Sequence, residues 1–268
     1  MQTSINASIM QAFACKYQSL IRTPLIVPVR ASISPSPFAK PSHIPARFFF
    51  RKHFRMASSV PLQEDPRINQ VLDFWFSLSP VAWFRGSAEL DDTIRTRFGE
   101  VVHEARSKSL DGSWPATPHG ALALVILLDQ FSRNIFRGSD ESFTSDPHAL
   151  RIATHAVARG LDRGIRCNGT TDSAEARIRR MFLYVPFQHA EDLLSQVAGT
   201  ALMEKLVAES PVDVDAKEKE FQQGALFSFR GHRDVILKFG RFPKRNDWLG
   251  RETTEEEKKF LEEHPQGF

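Results

Sequence analysis

Residues 122–138 have the sequence LALVILLDQFSRNIFRG, and this stretch sets the kind of fold that the chain can adopt. Its first half is apolar on every side, its second half is densely polar, and no turn-forming residue separates the two halves. At the helical angle of about 100° per residue, Asp129, Arg133 and Arg137 fall on one arc. Gln130 lies on the same arc. The pattern predicts a buried helix that carries a cluster of polar side chains at one end.

Burying these charged side chains costs free energy, so we expect them to form ion pairs. Taking an ion out of water costs several kcal/mol unless the ion is paired and hydrogen-bonded. Asp129 and Arg133 are four residues apart, so we expect them to form an ion pair on one helix face. Asn134 and Arg137 then keep donors for another purpose, which makes them candidates for a ligand site.

Helical periodicity continues through most of the chain from Asp65 onward, and prolines and glycines separate the successive amphipathic segments. No stretch of alternating polarity is long enough to predict a strand. We therefore expect residues 65–268 to form a single all-α domain of seven or eight helices, stacked as antiparallel pairs. The longest helical run, residues 177–208, contains Pro186, which predicts a kink at Tyr184 and Val185.

The first 55 residues have a different composition from the rest of the chain. They contain eight lysines and arginines and no aspartate or glutamate, and they are rich in serine, threonine and proline. This composition is typical of a mitochondrial transit peptide, and the alternatives are a disordered extension or a translation start at Met56. The sequence predicts a mitochondrial protein if translation begins at Met1 and a cytoplasmic one if the leader is not used.

Charge and cysteine content exclude several classes of function for the remaining residues. Without the leader the chain has 27 basic and 32 acidic residues, a net charge of about −5, so it gives no support for binding nucleic acid. Cys167 is the only cysteine outside the leader, which excludes a disulfide framework and a thiolate zinc site. No segment is long and apolar enough to predict a membrane span, so we expect a soluble protein without a membrane partner.

Four stretches of the sequence carry a family resemblance. They are FWF at 74–76, LLDQFSRNIFRG at 127–138, FLYVPFQHAED at 182–192 and HRDVILKFGRFPKRNDWLGRETT at 232–254. In order and spacing they resemble the domain of unknown function 924 family, over nearly all of the chain beyond the leader. The resemblance implies a tetratricopeptide-repeat-like superhelix of helix pairs and implies no activity. Ser132, Ala190 and Lys244 depart from the family pattern, where proline, serine and histidine are usual, so no hydroxyl at 190 or imidazole at 244 is assigned a role.

The polar residues that we select as site candidates come from three separate segments of otherwise apolar helices. They are Asp129, Arg133, Asn134 and Arg137, then Tyr184, His189, Glu191 and Asp192, and finally His232, Arg241, Arg245 and Asn246. A purely structural network does not need two histidines, several carboxylates and several arginines together. The set therefore predicts a buried polar pocket for a small acidic metabolite.

Each residue type in this set suggests a role. The arginines would bind a carboxylate or phosphate, because the planar guanidinium matches these groups with two hydrogen bonds. His189 or His232 would act as the acid or base, since imidazole titrates near neutral pH, with Glu191 or Asp192 fixing its tautomer. Asp129 completes the catalytic candidates. Tyr184 would orient a substrate oxygen, and the two asparagines would add substrate contacts.

Two functions remain open at this point. One is a cofactor-independent acid–base enzyme, a hydrolase or a lyase. The other is a tetratricopeptide-repeat-like module that binds a peptide partner without catalysis. The chain has no Walker loop, no GxGxxG fingerprint and no HExxH pair, so we expect neither a cofactor nor a metal. For each polar residue taken singly, an ion pair or a satisfied core histidine is the alternative interpretation.

Overall fold

The computed structural model describes residues 64–265, and within this range it contains nine helices and no strand. The helices are α1 (Pro66–Ser77), α2 (Pro80–Arg85), α3 (Ala88–Arg106), α4 (118–135), α5 (Asp146–Ala158), α6 (Ala174–His189), α7 (Leu193–Ala208), α8 (Ala216–Phe239) and α9 (Glu255–Glu263). The predicted all-α fold is thereby confirmed, and the tetratricopeptide-repeat-like superhelix stays a prediction. The predicted leader lies outside the described residues.

Helix α4 lies at the centre of the core, as its apolar first half predicts. Every side chain from Ala121 to Phe131 except Gln130 is fully buried. The helix is not regular: Pro118–Val125 is α-helical, Ile126–Phe131 is π-helical, and Ser132–Ile135 is α-helical again. The π segment widens the helix at the point where the sequence changes from apolar to polar. Such segments occur frequently at functional sites.

Helices α6 and α7 correct the prediction of one long run interrupted at Pro186. Pro186 lies inside α6, and the helix ends at His189. The side chain of Asp192 then accepts hydrogen bonds from the backbone N–H groups of Leu194 and Ser195, both at 3.1 Å, and so caps α7. The break therefore falls at residues 190–192, because an aspartate cap begins a new helix there.

Helix α7 contacts both α6 and α8. Gly199 permits the close approach to α6, since a Cβ at this position would lie 2.6 Å from Cβ of Phe187. Near the start of α6 and α8, Arg177 Nε donates to Glu218 at 2.6 Å. Further along both helices, Gln188 Nε2 donates to Ser228 Oγ at 3.1 Å. The two pairings show that α6 and α8 run in the same direction.

None of the helices between residues 64 and 265 combines the length and the apolar character that crossing a lipid bilayer requires.

Candidate functional site

A cavity of about 290 Å³ lies at the polar end of α4, beside α6, α8 and the loop that follows α8. Its lining contains five basic side chains and two imidazoles: Arg85, Arg133, Arg137, His189, His232, Lys244 and Arg245. No aspartate or glutamate of residues 64–265 lines it. Arg133, Arg137 and Arg245 pair with aspartates that lie behind the wall, but the wall itself presents hydrogen-bond donors and no carboxylate, which favours an anion.

His189, the last residue of α6, forms a hydrogen-bonded pair with Asp129 of α4 beside this cavity. Nδ1 of His189 lies 2.7 Å from Oδ1 of Asp129, whose side chain is fully buried. Arg133 donates to the same carboxylate oxygen at 2.9 Å, and Gln130 donates to the other oxygen. Among the described residues none hydrogen-bonds to Nε2 of His189, and the side chain is 17% exposed. Nε2 is therefore available to a ligand.

The surroundings of this pair fix its protonation state. Burial acts to raise the pKa of Asp129, but the charge of Arg133 and the contact with His189 outweigh it and hold the pKa below its usual range. Burial, together with the nearby Arg133, lowers the pKa of His189 against the opposing charge of Asp129. An ionised carboxylate can only accept, so Nδ1 carries the proton and Nε2 of the neutral ring is an acceptor. His189 can therefore take a proton at neutral pH.

Asp146, at the start of α5, joins two of the cavity arginines. Its Oδ2 accepts from Arg133 at 2.9 Å and from Arg245 at 3.1 Å. Arg245 also donates to the backbone carbonyl of His189 at 3.0 Å and lies against two phenylalanine rings, 4.6 and 4.7 Å from their centroids. These contacts hold both guanidinium groups in place against the cavity. We call Asp129, Arg133, Asp146, His189 and Arg245 the Asp129 cluster.

Arg137 lies at the mouth of the cavity, where half of its side chain is exposed. Its Nε donates to Asp91 of α3 at 2.6 Å, and Nη2 donates to Asn134 Oδ1 at 3.1 Å. The hydrogen bond with Asp91 raises the pKa of Arg137. Its guanidinium also lies against the backbone of Gly86, where φ is +61° and a Cβ would collide with it. Gly86 therefore allows Arg137 to close one edge of the opening.

His232 of α8 is brought close to His189, with the two ring centroids 6.1 Å apart. It is 4% exposed, and Nδ1 donates to the carbonyl of Ser228 at 2.8 Å. Gln188 Nε2 donates to Nε2 of His232 at 3.3 Å. Both nitrogens of His232 are thus engaged within the protein, whereas Nε2 of His189 is not. Of the two predicted imidazoles, His189 is the better acid–base candidate.

Tyr184 lies outside the cavity, contrary to its predicted role of orienting a substrate oxygen. Its hydroxyl donates to Asp162 Oδ2 at 2.7 Å, and the residue is 3% exposed. Burial, with the contact to Asp162, raises the pKa of the Tyr184 hydroxyl. The structure directs Tyr184 toward the segment that carries Asp162.

Arg241 and Asn246 also lie outside the cavity, in a second polar group around Glu257 of α9. Arg241 donates to the two oxygens of Glu257 at 2.7 and 2.8 Å, and Asn246 Nδ2 donates to Oε2 at 3.3 Å. Glu257 also accepts from the backbone N–H of Thr254, which completes a capping box at the start of α9. We call Arg241, Asn246 and Glu257 the Glu257 cluster. It joins the loop after α8 to α9 and leaves its predicted substrate-binding residues without access to the cavity.

Glu191 and Asp192 do not have the predicted role of fixing the tautomer of His189. Glu191 accepts from Arg251 at 2.7 Å and from the backbone N–H of Phe242 at 2.7 Å. Asp192 is the cap of α7. The carboxylate that holds the imidazole ring is Asp129, which comes from a different helix.

The described residues 64–265 contain no group of three or more histidine, cysteine, aspartate or glutamate side chains placed to hold a metal ion.

Comparison with known families identifies the chain at the level of family. The family model described as "Bacterial protein of unknown function (DUF924)" matches residues 71–265. The chain belongs to the DUF924 family. The resemblance predicted from the four sequence stretches is thus confirmed.

One solved structure supports the same relation. The protein of unknown function ATU0120 from Agrobacterium tumefaciens is 35% identical to this DUF924 chain and superposes with a TM-score of 0.61. The match covers 74% of this chain and 98% of the bacterial protein. No curated protein matches the chain. Neither description names an activity, so the function has to be argued from the site.

Two functional candidates of this DUF924 chain were missed in the sequence. Arg85 lines the cavity from α2, a short helix that was not predicted. Asp146, the first residue of α5, was not among the site candidates. A buried aspartate that joins two arginines leaves no signal in sequence spacing, because Arg245 is 99 positions away from it.

Proposed function

We propose that the chain binds a small anionic metabolite in the basic cavity and that His189 acts on it as a general base. The observation that carries the proposal is the position of His189, whose Nε2 is free of described partners while Asp129 holds Nδ1. In this arrangement Nε2 accepts a proton from water or from the substrate, as the histidine of a hydrogen-bonded His–Asp pair does. Arg133 and Arg245 bind the charged group of the substrate.

The convergence of residues favours a small molecule over a peptide. Six of the predicted site residues line one cavity: Arg133, Asn134, Arg137, His189, His232 and Arg245. A scaffold would have its polar residues in separate pairs beside an open apolar groove. Each guanidinium has five N–H donors, and Arg245 gives two hydrogen bonds to described residues, so donors remain for a ligand.

The proposed reaction is a hydrolysis or an elimination that needs no cofactor. In a hydrolysis, His189 takes a proton from water, the resulting hydroxide attacks the ester, and the proton passes to the leaving oxygen. In an elimination, the same nitrogen removes a proton next to the carboxylate, and a group leaves from the neighbouring carbon. Both reactions use Nε2 of His189 as the proton acceptor, with Arg133 and Arg245 binding the anionic group.

Anion binding can be measured by thermal unfolding of the full chain with phosphate, small carboxylates and phosphoesters. A ligand at 100 times its dissociation constant adds about 2.7 kcal/mol, which raises Tm by roughly 5–10 °C for a domain of this size. The variant Arg245→Met should lose this rise relative to its own Tm. The matched control Arg241→Met removes an arginine of the same loop outside the cavity and should keep the rise. Equal loss in both variants would contradict the assignment of the cavity.

Catalysis is tested by hydrolysis of a panel of chromogenic phosphate and carboxylate esters that carry an acidic group. The variant His189→Gln should lower the turnover number by about 10²–10⁴-fold. It should keep the anion-induced rise in Tm, because the arginines remain. A variant that binds the anion and turns over as fast as the wild type would limit the cavity to binding.

A further inference from the structure

The cavity changes character along its length, and the direction of this change follows from the two parallel helices that form its wall. Along α6 the lining residues are first Met181, Phe182 and Val185 and then Gln188 and His189. Along α8 they are first Ala225 and then Ser228, Phe229 and His232. Because α6 and α8 run in the same direction, the lining residues up to Val185 and Ala225 form an apolar end of the cavity, and the later residues form a more polar end that also includes Phe229.

Aromatic rings from α2 lie at the apolar end, next to Arg85 of the same helix. Trp83 and Phe84 line the cavity, and the ring centroid of Trp83 is 5.1 Å from that of Phe182. The indole N–H of Trp83 donates to the carbonyl of Trp75 at 2.8 Å, so the ring is fixed against α1. Phe182 and His189 are seven residues apart on α6, which corresponds to roughly 10 Å along the helix axis. The apolar end thus lies well beyond reach of a small inorganic ion bound beside His189.

Met181, Phe182 and Ala225 are tightly packed and at most 4% exposed, whereas Trp83 is half-buried and Phe84 is 41% exposed. The apolar surface that the cavity presents therefore comes mainly from α2, and an inorganic anion would leave this surface in contact with water. Removing apolar surface from water is favourable by about 25 cal/mol per Å². A ligand with its own apolar part would gain this free energy, whereas phosphate or acetate alone would not.

We propose that the ligand is an anion with an apolar tail. Its carboxylate or phosphate lies beside Arg133, Arg245 and His189, and its tail extends along Phe182 toward Trp83. This inference rests on the proposed function, since it specifies the substrate class of the same cavity. It places the bond on which His189 acts near the charged end of the ligand.

The test is a series of calorimetric titrations of the full chain with unbranched carboxylates, namely acetate, butyrate, hexanoate and octanoate. Each methylene that enters the cavity should tighten Kd by about fourfold, the equivalent of about 0.8 kcal/mol. Octanol has the same tail without the charge and should bind far more weakly than octanoate. Octyl phosphate and inorganic phosphate, titrated alongside, separate a preference for the phosphate head from the effect of the tail.

A variant that fills the apolar end identifies where the tail binds. Ala225→Leu adds a side chain there and should weaken octanoate binding by at least tenfold while leaving acetate and butyrate unchanged. Val185→Leu is the second variant, in case the first does not fold. Ala201→Leu, on the exposed face of α7, is the matched control and should bind octanoate like the wild type.

The outcomes separate this inference from the proposed function. Binding of short anions with no gain for longer tails would overturn the apolar tail and leave the anion pocket standing. Loss of octanoate binding equally in Ala225→Leu and Ala201→Leu would overturn the placement of the tail. If none of the anions binds, the proposed function fails and this inference fails with it.

Discussion

The Asp129 cluster and the Glu257 cluster each pair a buried carboxylate with arginine, yet they differ in the hydrogen-bonding groups that they leave available to a ligand. Glu257 accepts from Arg241, from Asn246 and from the backbone that begins α9, so its contacts join one loop to one helix. Asp129 is equally buried, but His189, one of its partners, presents a second nitrogen to a cavity. The difference shows that a buried carboxylate paired with arginine does not by itself distinguish a candidate site from a structural network. The distinguishing feature is whether a partner also faces open space.

The largest expected effect comes from removing the arginine of the Asp129 cluster. Arg133→Ala leaves the fully buried Asp129 without its main counter-charge and also removes a partner of Asp146. Breaking a buried pair on one side costs about 3–5 kcal/mol of unfolding free energy. Urea unfolding at neutral pH measures the change, and Arg95→Ala in the exposed pair with Asp92 is the control. Similar losses in both variants would mean that Asp129 is not held by Arg133.

The contacts of Arg133 and Asp129 show which interactions could be predicted from the sequence. The pairing of Arg133 with Asp129 was predictable because four residues on one helix define a geometry before any tertiary structure is known. The pairing of Asp129 with His189 was not, since 60 positions separate them and their contact depends on how α4 and α6 pack. The spacing of residues in the sequence likewise did not reveal the π segment of α4, because an angle of about 100° per residue describes only regular α-helical turns.

The same limit explains why Arg241, Asn246 and Tyr184 were grouped with the cavity residues. Each is a polar residue in a largely apolar neighbourhood, which is what the sequence displays. Arg241 and Arg245 lie in one short loop, but the turn of that loop directs them to Glu257 and to Asp146 respectively. A turn of four residues thus separates a structural arginine from a ligand-binding candidate. The amino-acid composition of the loop does not reveal in which direction each side chain extends.

A smaller effect is expected from Glu257→Gln, which should destabilise the fold without altering anion binding. Hydrogen bonds to a charged group contribute about 1.5–3 kcal/mol, and the variant removes the charge. The hydrogen bond with Arg241 lowers the pKa of Glu257 from 4.5 to about 2. The carboxylate therefore stabilises the fold above pH 4.5, and this contribution is lost as the pH falls from 4.5 toward 2.

Unfolding free energies of wild type and Glu257→Gln should accordingly converge in acid. They are measured by urea titration between neutral pH and the most acidic pH at which the chain stays folded. A difference in unfolding free energy that is constant with pH would show that the charge of Glu257 contributes nothing to stability. Weaker anion binding in this variant would connect the two clusters and remove the contrast between them.

His189, as part of the Asp129 cluster, should make the free energy of unfolding depend on pH. Its pKa is lowered by burial, so the unfolded chain binds a proton near the ordinary value of about 6.5 while the folded chain does not. Stability is therefore lost as the pH falls below about 6.5, by at most about 1.4 kcal/mol per pH unit. His189→Gln lacks this loss, so the wild type should lose its advantage over the variant in mild acid. A widening advantage would instead indicate an imidazolium bound to Asp129.

The smallest expected effect is that of Tyr184→Phe. This variant tests whether Tyr184 lies outside the cavity. The hydroxyl makes one buried hydrogen bond, to Asp162, so its removal should cost about 0.5–1.5 kcal/mol in a urea titration. Because Tyr184 faces away from the cavity, anion binding and turnover should equal those of the wild type. Asp162→Asn, which keeps an acceptor oxygen for the hydroxyl, should cause a smaller loss and again leave binding unchanged. Weaker anion binding in Tyr184→Phe with unchanged stability would place the hydroxyl at the ligand after all, because a purely structural hydrogen bond affects folding and not affinity.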